Sequence, residues 1–80
     1  MVDLKPVELD CRRLLCPMPV IRVQNKVAEL KSGTLLKAVC TDPGALNDIP
    51  AWCRINGHRV VETLSADGEY VVMVEVGEQE

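Results

Sequence analysis

Cys16 stands directly in front of Pro17-Met18-Pro19, and a second cysteine, Cys11, lies five residues earlier. A cysteine attacks electrophilic sulfur or carbon as its thiolate, so its chemistry depends on what lowers its pKa. Proline is favoured at the first helical position, because the N–H it lacks would have no intrahelical partner there. It also drives the residue before it toward extended backbone. Cys16 is therefore expected at the N-cap, with Pro17 opening a helix and Pro19 still in its first turn. Met18 also precedes a proline, which favours an irregular first turn. The helix terminus contributes about 0.3–1 kcal/mol toward an anion. At about 1.4 kcal/mol per pKa unit, that moves a thiol from about 8.5 toward about 7.5. Arg12, Arg13, Arg22 and Lys26 are candidates to add positive potential, to hold an anion on Cys16 and to dock partners.

The rest of the chain offers this thiol little catalytic help. The single histidine, His58, is far away in sequence and reads as a hydrogen-bonded or solvated residue at a strand start rather than a general base. No phosphate-binding loop or dinucleotide fingerprint is present. A nucleophile without machinery to transform a substrate fits a protein that receives a group on sulfur and passes it on. Cys11 has two readings: a resolving thiol that forms a disulfide with Cys16, or the packing residue that ends the first strand. Cys40, Cys53 and Trp52 are assigned to packing. The spacing between cysteines lacks the paired knuckles of structural zinc sites, so no metal is expected.

The elements that must position Cys16 can be read from periodicity. Residues 7–10 alternate apolar Val7 and Leu9 with acidic Glu8 and Asp10, as a half-buried strand does. Val20, Val23, Val27 and Leu30 form one helical stripe, broadened by Ile21 and Ala28, with Arg22, Lys26 and Glu29 on another face. Ser32-Gly33 is expected to close that helix. Residues 34–41 are a nearly continuous apolar run, suited to a strand covered on both faces. Asp42-Pro43-Gly44 is a turn. A second helix follows between Ala45 and Asn56. Either Asp48 or Ile49 caps it with Pro50 in its first turn, or it starts earlier and is kinked at Pro50. Ile49, Trp52 and Cys53 share its inner face, and Gly57 ends it. Residues 58–64 and 69–76 are strands joined through the hairpin signal Asp67-Gly68. Residues from 77 onward form a polar tail. The order β-α-β-α-β-β predicts an α+β two-layer sandwich, a mixed four-stranded sheet with two helices on one face. Strands joined through helices are expected to be parallel neighbours, and the last pair antiparallel.

At 80 residues the chain is a single domain with an aliphatic core, since it has no Phe, one Trp and one Tyr. A net charge of −3 argues against a nucleic-acid partner, which requires a basic surface. No apolar run is long enough to span a membrane, and residues 1–10 lack a basic-then-apolar export signal. The expected location is the cytoplasm, where thiols stay reduced.

Leu9-Asp10, then Leu14-Leu15-Cys16-Pro17-Met18-Pro19-Val20, then residues 41–53 (TDPGALNDIPAWC) and Gly57-His58, resemble the TusA/SirA/YedF-like sulfur carriers over nearly the whole chain. The resemblance implies the same two-layer fold. It also implies a sulfurtransferase role in which Cys16 carries sulfane sulfur as a transient persulfide, with no other cofactor. A cysteine desulfurase or other persulfide donor would load it. A downstream acceptor would take the sulfur, for tRNA thiolation in some branches and for sulfur oxidation or cofactor assembly in others. Arg13 stands where the family usually has glycine, so the loop before Cys16 is expected to take a different path. Two other readings fit the residues: a non-catalytic regulatory module of the same fold, and a Cys11/Cys16 dithiol redox protein.

Overall fold

The computed structural model describes residues 6–15 and 17–77. Strand β1 (Val7–Cys11) is followed by helix α1 (Met18–Val27), β2 (Leu35–Cys40), α2 (Ala45–Asn56), β3 (Arg59–Ala66) and β4 (Glu69–Glu75). The strands form one four-stranded sheet in the order β1-β2-β4-β3. The α+β two-layer architecture is the expected one.

The pairing is finer than the sequence rule. β1 and β2 are parallel neighbours, with Val7 opposite Leu36 and Cys11 opposite Cys40. β2 and β3, also joined through a helix, are not neighbours, because β4 inserts between them and runs antiparallel to both. The tight Asp67-Gly68 turn folds β4 back along β3. Both turn residues have positive φ, 53° and 77°, as a two-residue hairpin loop of this hand requires.

The core lies between the sheet and the helices. Leu36, Ala38 and Cys40 on β2 alternate with half-exposed Leu35 and Lys37, and Val72 and Val74 answer them across the ladder. Val39 is buried too but lies outside this cluster, in register with Val71. From α1 come Pro19, Val23 and Val27, spaced by four residues. Val20 and Leu30 pack at the edge of the cluster. Ile21, expected to widen the inner stripe, is instead exposed. It sits two positions from both Pro19 and Val23, which turns it away from the face those residues define. From α2 come Ala45, Ile49 and Cys53, with Trp52 packed beside them.

Both helices depart from their expected ends. α1 stops at Val27, and the chain leaves through short i→i−3 turns in which Glu29 and Leu30 donate to the Lys26 and Val27 carbonyls. Gly33 (φ 90°) is therefore not the helix cap but shapes the lead into β2, donating its N–H to the Val76 carbonyl at 2.7 Å. Of the two alternatives for α2, the earlier start is the observed one. Neither Asp48 nor Ile49 is the cap: the cap position belongs to Gly44, whose N–H donates to Asp42 Oδ1 at 3.0 Å, and Pro50 sits inside the helix.

The end of α2 is latched to the end of β4. Gly57 (φ 80°) terminates the helix, and the His58 N–H donates to the Cys53 carbonyl at 2.8 Å. His58 stacks on Trp52 and accepts the Gly77 N–H at Nδ1 (2.9 Å). Gly77 is thus held at the junction rather than in a loose tail; the rest of that tail, residues 78–80, lies outside the described residues. A side chain at position 77 would collide with the Gly57 carbonyl.

This latch gives the fold a pH dependence. Burial holds the His58 pKa below the ordinary imidazole value, and the Gly77 bond needs an unprotonated Nδ1. The unfolded chain therefore binds more protons below about pH 6.5, so stability falls as pH drops through that value and levels off below the depressed folded pKa. Urea midpoints recorded across this range should fall toward acid in the wild type. In His58→Gln the midpoint should follow a flatter profile through the same window.

Candidate active site at the start of the first helix

Cys16 itself lies outside the described residues. The residues on either side of it define where the chain passes. β1 ends at Cys11, which is buried in the core. Arg12 and Arg13 then turn the chain, and Leu14 packs against the core. Leu15 is 76% exposed. Its carbonyl accepts the Met18 N–H at 2.8 Å, and the Pro17 carbonyl accepts the Ile21 N–H at 3.2 Å.

Pro17, expected at the first helical position, occupies the N-cap instead (φ −96°, ψ 13°). Pro19 is the proline inside the first turn. Met18 is the first helical residue even though Pro19 follows it, so the irregular backbone lies at Pro17 rather than at Met18. Pro17, Leu15 and Met18 are all exposed, Met18 by 44%, whereas Pro19 is buried and anchors the turn to the core.

The turn before it is also fixed. Arg13 has φ 65°, in the left-handed region that glycine favours. The loop thus takes a glycine-type conformation at this position even though the residue is arginine. The Arg13 N–H donates to Thr41 Oγ1 at 2.7 Å, which ties the loop after β1 to the loop after β2. Thr41 was invisible as a site residue in the sequence because its role depends on the parallel pairing of those strands. A left-handed L-residue carries about 1–2 kcal/mol of strain. Arg13→Gly should accordingly stabilise the protein by about 1 kcal/mol, partly offset by chain entropy. Urea denaturation of the two proteins measures the difference.

The basic residues divide by position. Arg12 donates from Nε to Glu69 at 2.7 Å and from Nη1 to Asp10 at 3.3 Å. Its charge is largely compensated, and it braces the turn. The Arg12 backbone N–H also donates to Asp10 Oδ1 at 3.0 Å, the leading reason that the Asp10 pKa lies below its ordinary value. Arg13 is exposed beside the loop. Arg22, one turn into α1, is exposed, and its charge contributes to lowering the pKa of both Asp10 and Cys11. Lys26 lies eight residues beyond Met18. At 1.5 Å per residue this is about 12 Å along the helix, beyond a physiological screening length of about 8 Å. Arg13 and Arg22 are therefore the cations best placed to act on this end of the molecule.

The remaining thiols are not exposed. Cys53 is buried on α2, and burial pushes its pKa up to about 11. Cys11 and Cys40 are buried, opposite one another across β1 and β2. A cleft of about 260 Å³, lined by Pro50, Cys53, Arg54, His58, Arg59 and Val60, belongs to the other end of the sheet, where Arg59 pairs with Glu75. Among the described residues, no three potential metal ligands come together. No helix among them is long and apolar enough to cross a membrane.

With this geometry in place, comparisons with known proteins give a consistent placement. The chain is 42% identical over 66 residues to the sulfur carrier protein TusA of Pseudomonas paraeruginosa, covering 82% of this chain and 84% of that protein. It is 44% identical over 54 residues to the putative sulfur carrier protein YrkI of Bacillus subtilis, covering 68% and 72%. Its fold is similar to that of the crystal structure of a SirA-like protein from Desulfitobacterium hafniense. There the TM-score is 0.79 and the identity 24%, covering 90% of this chain and 99% of that one. The family described as Sulfurtransferase TusA matches residues 7–76, the whole folded unit from β1 to the end of β4, and the chain belongs to that family.

Proposed function

We propose that this protein is a sulfur carrier that accepts sulfane sulfur on Cys16 as a persulfide and hands it to an acceptor. The observation that carries the reading is the Cys16-Pro17-Met18-Pro19 segment of a TusA-family chain, flanked by exposed Leu15, Pro17 and Met18 at the start of α1.

The chemistry needs only a nucleophile that is also a competent leaving group. The Cys16 thiolate attacks the outer sulfur of a donor persulfide. A new S–S bond forms, the donor's S–S bond breaks, and the donor thiolate departs. An acceptor thiolate then attacks the terminal sulfur of Cys16–S–SH, and Cys16 leaves as the thiolate. A thiol pKa near ambient pH serves both steps, because lower pKa improves the leaving group but weakens the nucleophile. The helix N-terminus, with Arg13 and Arg22, favours the anion at this position. The donor is a cysteine desulfurase or another persulfide-bearing protein, and the acceptor is a further sulfur-relay protein. The setting is the cytoplasm, and the sulfur itself is the cargo.

Intact mass spectrometry tests the proposal. After incubation with a cysteine desulfurase and cysteine, the protein should gain one sulfur atom, and a reductant should remove it. A protein that stays unmodified with several competent donors is not a carrier.

A further inference from the structure

Cys11 and Cys40 end β1 and β2 on the core side of the sheet, and the two residues are direct partners in the parallel register. Neighbouring strands lie about 4.8 Å apart. That spacing falls within the Cα separation of about 4.4–6.8 Å that a disulfide spans. Both thiols are free and fully buried. We propose that Cys11 and Cys40 are a redox-active dithiol, separate from the carrier cysteine, which a small peroxide closes to a disulfide.

The two thiols are unequal. The neighbouring Cys40 thiol holds the Cys11 pKa below the ordinary thiol value against the opposing effect of burial, and Arg22 adds to the lowering. The same pairing, reinforced by burial, pushes the Cys40 pKa upward. Cys11 also ends an outermost strand, whereas Cys40 lies on an inner one, so Cys11 is the attacking sulfur. Its thiolate displaces hydroxide from hydrogen peroxide, the O–O bond breaks, and the hydroxide leaves as water with the proton that Cys11 gave up. The product is Cys11 sulfenic acid. Cys40 sulfur then attacks the Cys11 sulfur, the S–O bond breaks, and a second water departs with the Cys40 proton. Two thiols and one peroxide thus become one disulfide and two waters.

Access comes through the edge of the sheet. β1 is an outermost strand, and Cys11 is its last residue before the Arg12-Arg13 turn. Strand ends of this kind open locally at much lower cost than the whole fold. The loops that follow the two cysteines are joined by the Arg13–Thr41 hydrogen bond.

The test uses the full chain with Cys16→Ser, so that carrier chemistry plays no part. Folded protein is treated with hydrogen peroxide, quenched, unfolded and alkylated. Untreated protein should take three alkyl groups, on Cys11, Cys40 and Cys53. Treated protein should take one, on Cys53, and be lighter by two hydrogen atoms before alkylation. A non-reducing digest should show the Cys11 peptide joined to the Cys40 peptide, and dithiothreitol should separate them. Adding Cys40→Ala should abolish the loss of alkylatable pairs and leave Cys11 as a trappable sulfenic acid. Retention of all three alkylatable thiols under sustained peroxide would overturn the proposal. So would a Cys11 link to Cys53, or, in the wild type, a Cys11–Cys16 link in place of Cys11–Cys40.

Discussion

Cys16→Ser is expected to abolish sulfur loading completely while leaving the fold intact. A serine hydroxyl neither ionises usefully near neutral pH nor forms the S–S bond that holds the cargo. No neighbouring thiol can substitute, because Cys11, Cys40 and Cys53 are buried. The residues flanking position 16 on both sides are exposed, so exchange of one atom there should change stability by no more than about 0.5 kcal/mol. The measurement pairs intact mass spectrometry after desulfurase treatment with a urea titration. Full loading of Cys16→Ser would remove Cys16 from the mechanism. Unchanged biological effect of the unloadable variant in cells would favour the non-catalytic regulatory module instead.

Leu36→Ala should have the largest effect on stability. Leu36 is fully buried on β2 within the core cluster, opposite Val7 on one side and Val74 on the other. Removing a buried leucine side chain costs about 2–5 kcal/mol through lost transfer energy and the cavity left behind. A chain of this size has a total stability of about 4–12 kcal/mol. The variant should lose much of that, and the urea midpoint should fall steeply with little change in slope. Ile55→Ala is the matched control. Ile55 is 83% exposed, so its truncation should stay within about 0.5 kcal/mol. Equal effects at the two positions would mean that the core is not centred on β2.

Much of this architecture was legible in the sequence because periodicity and punctuation agree. Val7 and Leu9 alternate with acids, Val23 and Val27 repeat at helical spacing, and Asp67-Gly68 supplies the hairpin backbone. What the sequence did not reveal is long-range. Nothing local places β4 between β2 and β3, since any order that satisfies the same hydrophobic faces is consistent with the pattern. The start of α2 was ambiguous because Pro50 reads as a boundary, yet Asp42 and Gly44 initiate the helix earlier and the packing of Ala45 and Ile49 carries it through the proline. The same limit applies at the site. Cys16 stands out through its proline neighbours, whereas the Arg13–Thr41 and Arg12–Glu69 contacts join residues 28 and 57 positions apart. The Cys11–Cys40 pairing needed the parallel register before it could be seen, although both cysteines end apolar strands just before turn residues.

Val61 has no partner in the β3–β4 ladder: Val60 faces Val74 and Glu62 faces Met73. This bulge lies on an outermost strand whose residues are almost all exposed, including Val61 and Leu64. A long, flat border of that kind invites a second molecule to zip onto it and begin a fibril. An extra residue bends and twists the border, and Glu62 beside it adds a charge. The irregularity in β3 thus makes this bare sheet margin a poorer template for a second strand than a regular one would be.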